Sequence, residues 1–155
     1  MGSLHRRYSF DPKGWGKLMP RTKIELNAKK IDRIQAVDEL AALLFPGNRM
    51  HQKVFLAIFI EIKYSKELFI PYLQPLCNKY GFSPRMLETV RSKAVRLGLI
   101  EHISRLNKKF RYRDGWVFSS RFSRSLARLA QLVQDFKERK DPLQEQKDRD
   151  LFRYL

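Results

Sequence analysis

The sequence predicts a mainly helical fold with one small β-hairpin, and three observations carry that expectation. Apolar residues recur three and four apart along most of the chain after Asn27. Two such stretches meet at Gly81 and are followed by Ser83-Pro84, a hydroxyl N-cap with proline at the first helical position. Between residues 100 and 119 the spacing changes from helical to strand-like.

Residues 1–26 read as an irregular basic arm. Arg6, Arg7, Lys13, Lys17, Arg21 and Lys23 interleave with Tyr8, Phe10 and Trp15, and Asp11-Pro12 and Lys13-Gly14 break regular structure. Such an arm tracks a phosphate backbone, here through Arg6 and Arg7, or packs on its own domain. A first helix is expected from Ala28 to Phe45, capped by Asn27. Ile31, Ile34, Val37, Leu40, Ala41 and Leu44 would form its apolar stripe, and Pro46-Gly47-Asn48 its end. The next helix, Met50 to Tyr64, is apolar nearly all round through VFLAIFI and should sit at the centre of the domain.

The segment Leu73–Ser92, LQPLCNKYGFSPRMLETVRS, has the spacing of a helix-turn-helix. Cys77 is the small residue where two helices press closest, and Gly81, four residues on, tolerates the positive φ that stops the first helix. Leu76, Tyr80, Phe82, Leu87 and Val90 should point inward. The first helix is expected to be short and to start near Pro71, after a strand or extended link at Glu67-Leu68-Phe69, because Pro71 and Pro75 restrict it. The second runs from Pro84 to Leu97 with Gly98 as its stop. At 100° per residue Leu87, Val90, Ala94 and Leu97 share one face, whereas Arg85, Glu88, Thr89, Ser92 and Arg96 gather opposite, flanked by Lys93. Long donors beside short hydroxyls suit a major-groove reader, because Arg grips guanine bidentately and Ser or Thr contacts base edges or phosphates.

Two strands, Ile100–Leu106 and Phe110–Ser119, should follow, joined by Asn107-Lys108-Lys109, with Arg111 and Arg113 projecting from one face and Asp114-Gly115 as a turn or bulge. From Phe122 to about Arg139 a long helix repeats Leu126, Leu129, Val133 and Phe136 at coiled-coil spacing, and Asp141-Pro142 closes it before a charged tail. The chain thus divides into the arm (1–26), a domain with its leading helix (27–120), and a C-terminal helix and tail (121–155). The outer helices offer a dimerisation surface.

Charge narrows the partner. The chain holds 32 Lys and Arg against 16 Asp and Glu, a formal +16. Nine basic residues fall within 83–113 (Arg85, Arg91, Lys93, Arg96, Arg105, Lys108, Lys109, Arg111 and Arg113), whereas 123–155 holds eight basics and six acids. A positive field on one stretch favours a polyanion, because each neutralised phosphate releases counterions. The competing reading is a solvated surface that keeps the chain in solution.

Other chemistry finds little support. No Gly-rich phosphate loop, GxSxG, HExxH or paired-cysteine motif occurs, and His5, His51 and His102 lack ligand spacing. The lone Cys77 reads as a packing residue, so neither a cofactor nor an enzyme is expected. The apolar run Val54–Ile60 falls far short of the ~20 residues that span a bilayer. No signal peptide or myristoylation pattern is read, which gives a cytoplasmic expectation without membrane contact.

Helix, helix, helix-turn-helix, basic hairpin and long helix, carried by residues 50–120 and their flanks, resemble the winged helix-turn-helix DNA-binding superfamily. The length and outer helices are similar to MarR-type dimeric regulators, although NKKFRYRDGWVFSS lacks their acidic-x-Arg wing element. The resemblance implies a homodimer on double-stranded DNA, with Arg85, Thr89, Ser92, Lys93 and Arg96 in the major groove. Arg105, Lys108, Lys109, Arg111 and Arg113 would flank it from the wing. The expectation is a sequence-specific transcriptional regulator. A plasmid or phage replication initiator or partition protein is the nearest alternative, and an RNA-binding or protein-interaction module the alternative of another class.

Overall fold

The computed structural model describes residues 23–138 and 141–154. Its elements are α1 (Ala28–Ile31), α2 (Val37–Leu44), α3 (Arg49–Lys63), β1 (Phe69–Ile70), α4 (Pro75–Tyr80), α5 (Pro84–Leu97), β2 (Ile100–Ile103), β3 (Gly115–Phe118), α6 (Arg121–Glu138) and α7 (Pro142–Leu151). The described fold is mainly helical with a three-stranded antiparallel sheet in the order β1-β3-β2. The arm residues up to 22 lie outside the described part. Of the remaining arm, Ile24 packs on the core and the Glu25 amide donates to the Leu43 carbonyl at 3.2 Å.

The single leading helix expected over Ala28–Phe45 is two helices. Asn27 caps α1 by accepting from the Lys30 amide (3.2 Å), but the chain turns after Ile31. The Glu39 carboxylate then accepts from the Gln35 and Ala36 amides at 2.7 and 3.2 Å. That acid holds the two amides just before the new helix, so α2 starts at Val37, and only the stripe from Leu40 onward reaches the core.

The apolar helix α3 is central, as its composition demands. Asn48 Oδ1 accepts from the His51 amide at 3.0 Å, and Val54, Phe55, Ala57, Ile58 and Ile62 are buried. Phe45, Phe55, Phe59 and Phe118 form a chain of ring contacts at 5.0, 6.0 and 5.0 Å that ties α2, α3 and β3 together.

Helix α4 is shorter than the proline spacing suggested, with Pro75 rather than Pro71 in its first turn. Residues 69–70 pair with β3 instead, Phe69 opposite Val117 and Ile70 opposite Trp116. Gly81 adopts φ 71°, and its amide donates to the Cys77 carbonyl at 2.9 Å. Leu76, Cys77 and Phe82 are buried. Tyr80 differs from expectation: it is 42% exposed, stacks on Phe82 at 6.3 Å and donates its hydroxyl to Glu61.

Helix α5 matches its expected bounds. Ser83 Oγ accepts from the Met86 amide at 3.2 Å, and Gly98 ends the helix at φ 77°. The strands that follow are shorter than expected, pairing from Ile100 opposite Phe118 to Ile103 opposite Gly115. Residues 104–114 leave the ladder as a compact tip: Lys108–Phe110 form a short 3-10 turn, and Arg111 and Tyr112 are both left-handed, φ 54° and 58°. Arg111 and Arg113 therefore do not project from a strand. No residue of α6 or α7 is buried, and Leu129, Val133 and Phe136 face solvent. No helix among the described residues is long and apolar enough to cross a membrane.

Candidate nucleic-acid interface

Local sequence fixes α5 at both ends, and burial fixes its rotation. Leu87, Val90 and Ala94 retain 4, 0 and 0% of their surface, and burying a residue such as Leu87 or Val90 is worth about 1.5–3 kcal/mol. The opposite face must then point outward. Arg85, Glu88 and Arg96 are exposed there, with Thr89 and Ser92 half-buried between them. Thr89 Oγ1 donates to the Arg85 carbonyl at 3.0 Å, and Ser92 Oγ donates to Glu88 at 3.2 Å.

Lys93 is placed differently from its expected neighbours. Its ammonium donates to the backbone carbonyls of Leu44 and Lys23 and lies 4.5 Å from the centre of the Phe45 ring. Burial, aided by the nearby Arg96 charge, holds its pKa below the ordinary lysine value. It joins α5 to the end of α2 rather than facing outward with Arg85 and Arg96.

On the other flank, Glu88 accepts from both Nε (2.8 Å) and a terminal nitrogen of Arg91, whose guanidinium lies 5.3 Å from the Trp116 ring centre. His102 sets its ring edge against Trp116 at 4.9 Å and places Nε2 2.7 Å from Asp114. Leu87, Glu88, Arg91, His102, Asp114 and Trp116 help line an open groove of about 310 Å³ between α5 and the hairpin. Glu88, Arg91 and Trp116 thus brace the hairpin against α5. Sequence reading missed this strut, because no spacing rule links residues 25 apart across a turn.

The hairpin cations divide into two sets. Arg105, Lys108, Lys109 and Arg111 are exposed around the tip, with Arg105 4.0 Å from Asp114 and Arg111 3.9 Å from Glu67. Arg113 is committed inward: it pairs with Glu67, donates to the Phe110 carbonyl at 3.2 Å and lies over the Phe69 ring at 4.4 Å. The Arg113 hydrogen bond holds the Glu67 carboxyl below its ordinary value. Arg121, also unforeseen, donates from the start of α6 to the Val95 carbonyl at 3.1 Å, adding a cation beside Arg96.

Arg6 and Arg7 lie outside the described residues. His51 and His102 lie on separate elements, and among the described residues no three His, Cys, Asp or Glu side chains gather as a metal site requires. Comparison with protein-family models, with curated proteins and with solved structures found no match.

Proposed function

We propose that this chain is a winged helix-turn-helix protein that binds double-stranded DNA with sequence preference. In this reading it is a homodimeric transcriptional regulator working in the cytoplasm, a binding protein rather than an enzyme. The observation that carries the reading is the division of α5, one face sealed in the core and the other offering Arg85, Thr89, Ser92 and Arg96 outward. A helix held so can enter a major groove side-on, where Arg and hydroxyl side chains discriminate base pairs. Lys108, Lys109, Arg105 and Arg111 on the wing supply phosphate contacts that set register without reading sequence. Lys93 and Arg113 act as struts that hold helix and wing.

The test is binding of the full chain to duplex DNA, single strands and duplex RNA at several salt concentrations, preceded by selection from a random duplex pool. Duplex DNA is bound best, a selected site is preferred by roughly 10³-fold or more, and affinity falls steeply with salt. Equal binding to all three polymers with no selected sequence overturns the reading. In a dimer, the selected site carries two half-sites about 34–36 Å apart, one helical turn.

A further inference from the structure

Two large apolar side chains stand in solvent at the hairpin tip: Leu106 is 89% exposed and Tyr112 60%. Arg105, Lys108, Lys109 and Arg111, all exposed, flank them along the chain. The tip is built rather than slack. The Asn107 carbonyl accepts from the Phe110 and Tyr112 amides at 3.2 and 3.0 Å, and its side chain accepts from the Lys109 amide at 3.0 Å. Arg113 fastens the base of the loop to Glu67 and Phe69. Arg111 and Tyr112 are consecutive left-handed residues, a conformation that side chains disfavour and that marks segments shaped for a task.

We propose that this tip is a wedge: Leu106 and Tyr112 enter the minor groove and part a base step, while the four cations hold the flanking phosphates. The inference rests on the duplex-binding reading and adds how the duplex is deformed. Exposed apolar side chains flanked in sequence by exposed cations fit a partner that is anionic outside and apolar within, as stacked bases are. The tip's position favours DNA over an anionic lipid surface. Strand β2 leaves the end of α5 and runs back beside it, so that His102 and Trp116 reach the groove with Glu88 and Arg91. The ladder ends at Ile103 and Gly115, so the tip leaves the sheet close to the level of Glu88 and Arg91, and in the proposed docking it lies towards the minor groove beside the helix.

The experiment uses the full chain with a mixed-sequence duplex carrying 2-aminopurine and end labels for energy transfer. Wild-type protein brightens the 2-aminopurine and brings the ends together. The Leu106→Ser, Tyr112→Asn double variant loses both signals and binds about tenfold more weakly, with an unchanged salt slope because no cation is removed. Asn tolerates the left-handed backbone, so the variant keeps its fold, checked by circular dichroism, and Leu106→Met retains the signals. A double variant that binds, brightens and bends like wild type ends the wedge while duplex binding stands. Wild-type protein that binds no duplex ends the underlying reading and the wedge with it. Phosphatidylglycerol vesicles bound by wild type but not by the double variant, with duplex binding equal in both, turn the tip into a lipid contact and also overturn the proposal.

Discussion

The Lys93 ammonium on α5 donates to the carbonyl of Leu44, the last residue of α2, and so closes a helix end that its own backbone leaves open. The same side chain reaches the Lys23 carbonyl at 2.7 Å, so one lysine ties the leading segment, α2 and α5 into one unit. Lys93→Met keeps the aliphatic length over Phe45 but strips both carbonyls of their donor. The expected cost in urea unfolding is about 1–3 kcal/mol. Base preference should survive in the folded variant. Unchanged stability with lost preference would instead place Lys93 in the groove.

His51, at the start of α3, should make stability fall on the acid side of neutrality. Burial first, and the Lys93 charge second, hold its pKa below the ordinary 6.5. The unfolded chain therefore takes up the proton more readily, and stability rises with pH wherever the unfolded state binds more protons. The contribution is neutral well above 6.5 and becomes a penalty as pH falls through that value towards the folded pKa. Unfolding midpoints at several pH values measure it, and His51→Gln should flatten that part of the profile. In Lys93→Met, an imidazole titration that does not move upward would show that Lys93 leaves His51 unaffected.

Gly115 should tolerate no side chain. A Cβ there would lie 2.6 Å from the Ile70 carbonyl oxygen and 2.6 Å from the Phe69 ring, so strand β1 would have to retreat. Gly115→Ala is expected to cost about 1–3 kcal/mol, as forced overpacking does. Hydrogen exchange should show the β1–β3 pairing loosening before the helices open. Uniform loss of protection across α3 and α5 would mean that this contact serves the whole core instead.

What the sequence disclosed follows from the range of the forces involved. Helix α5 was legible because its signals are local: Ser83-Pro84 at one end, Gly98 at the other and an apolar face between. The central place of α3 followed from its apolar circumference. The break between α1 and α2 was harder, since the Glu39 hydrogen bonds that mark it lie inside an uninterrupted apolar period. Two-residue β1 is too short for any periodicity to register and exists only because Gly115 lets it close on β3. The directions of Lys93 and Arg113 were invisible for a different reason. Both are set by partners distant in sequence, the Leu44 carbonyl and Glu67, and helical or strand phase alone assigns an intermediate lysine or arginine to the surface.

Self-association through α6 should be broken by one charge. Leu126, Leu129, Val133 and Phe136 repeat at intervals of three and four, and the last three are exposed. Uncharged Ala130 and Leu132 border this seam and Arg124 and Arg128 fall on the outer side of the helix, while Lys137 borders its last turn. Over Leu126–Val133 two highly positive chains would therefore meet without like charges at the contact. Wild-type protein should sediment at twice the chain mass and Val133→Glu at the chain mass, with unchanged helix content. A monomeric wild type at binding concentrations would remove the paired half-sites from the expected DNA target.

Base reading and phosphate holding should separate by mutation, because they depend on the free energy in different ways. A bidentate arginine in the major groove favours one base over others, so Arg85→Ala or Arg96→Ala should cost about 1–3 kcal/mol on the selected site and relax preference at one position. In the proposed reading the wing lysines meet phosphates, which every sequence carries. Lys108→Ala or Lys109→Ala should weaken all duplexes alike and reduce the salt slope by about one. Titrations of each variant against the selected and a scrambled duplex, across a salt series, distinguish the two. If the α5 variants leave the ratio of the two affinities untouched, the outward face of this helix does not read bases, and the preference must come from DNA shape sensed elsewhere on the protein.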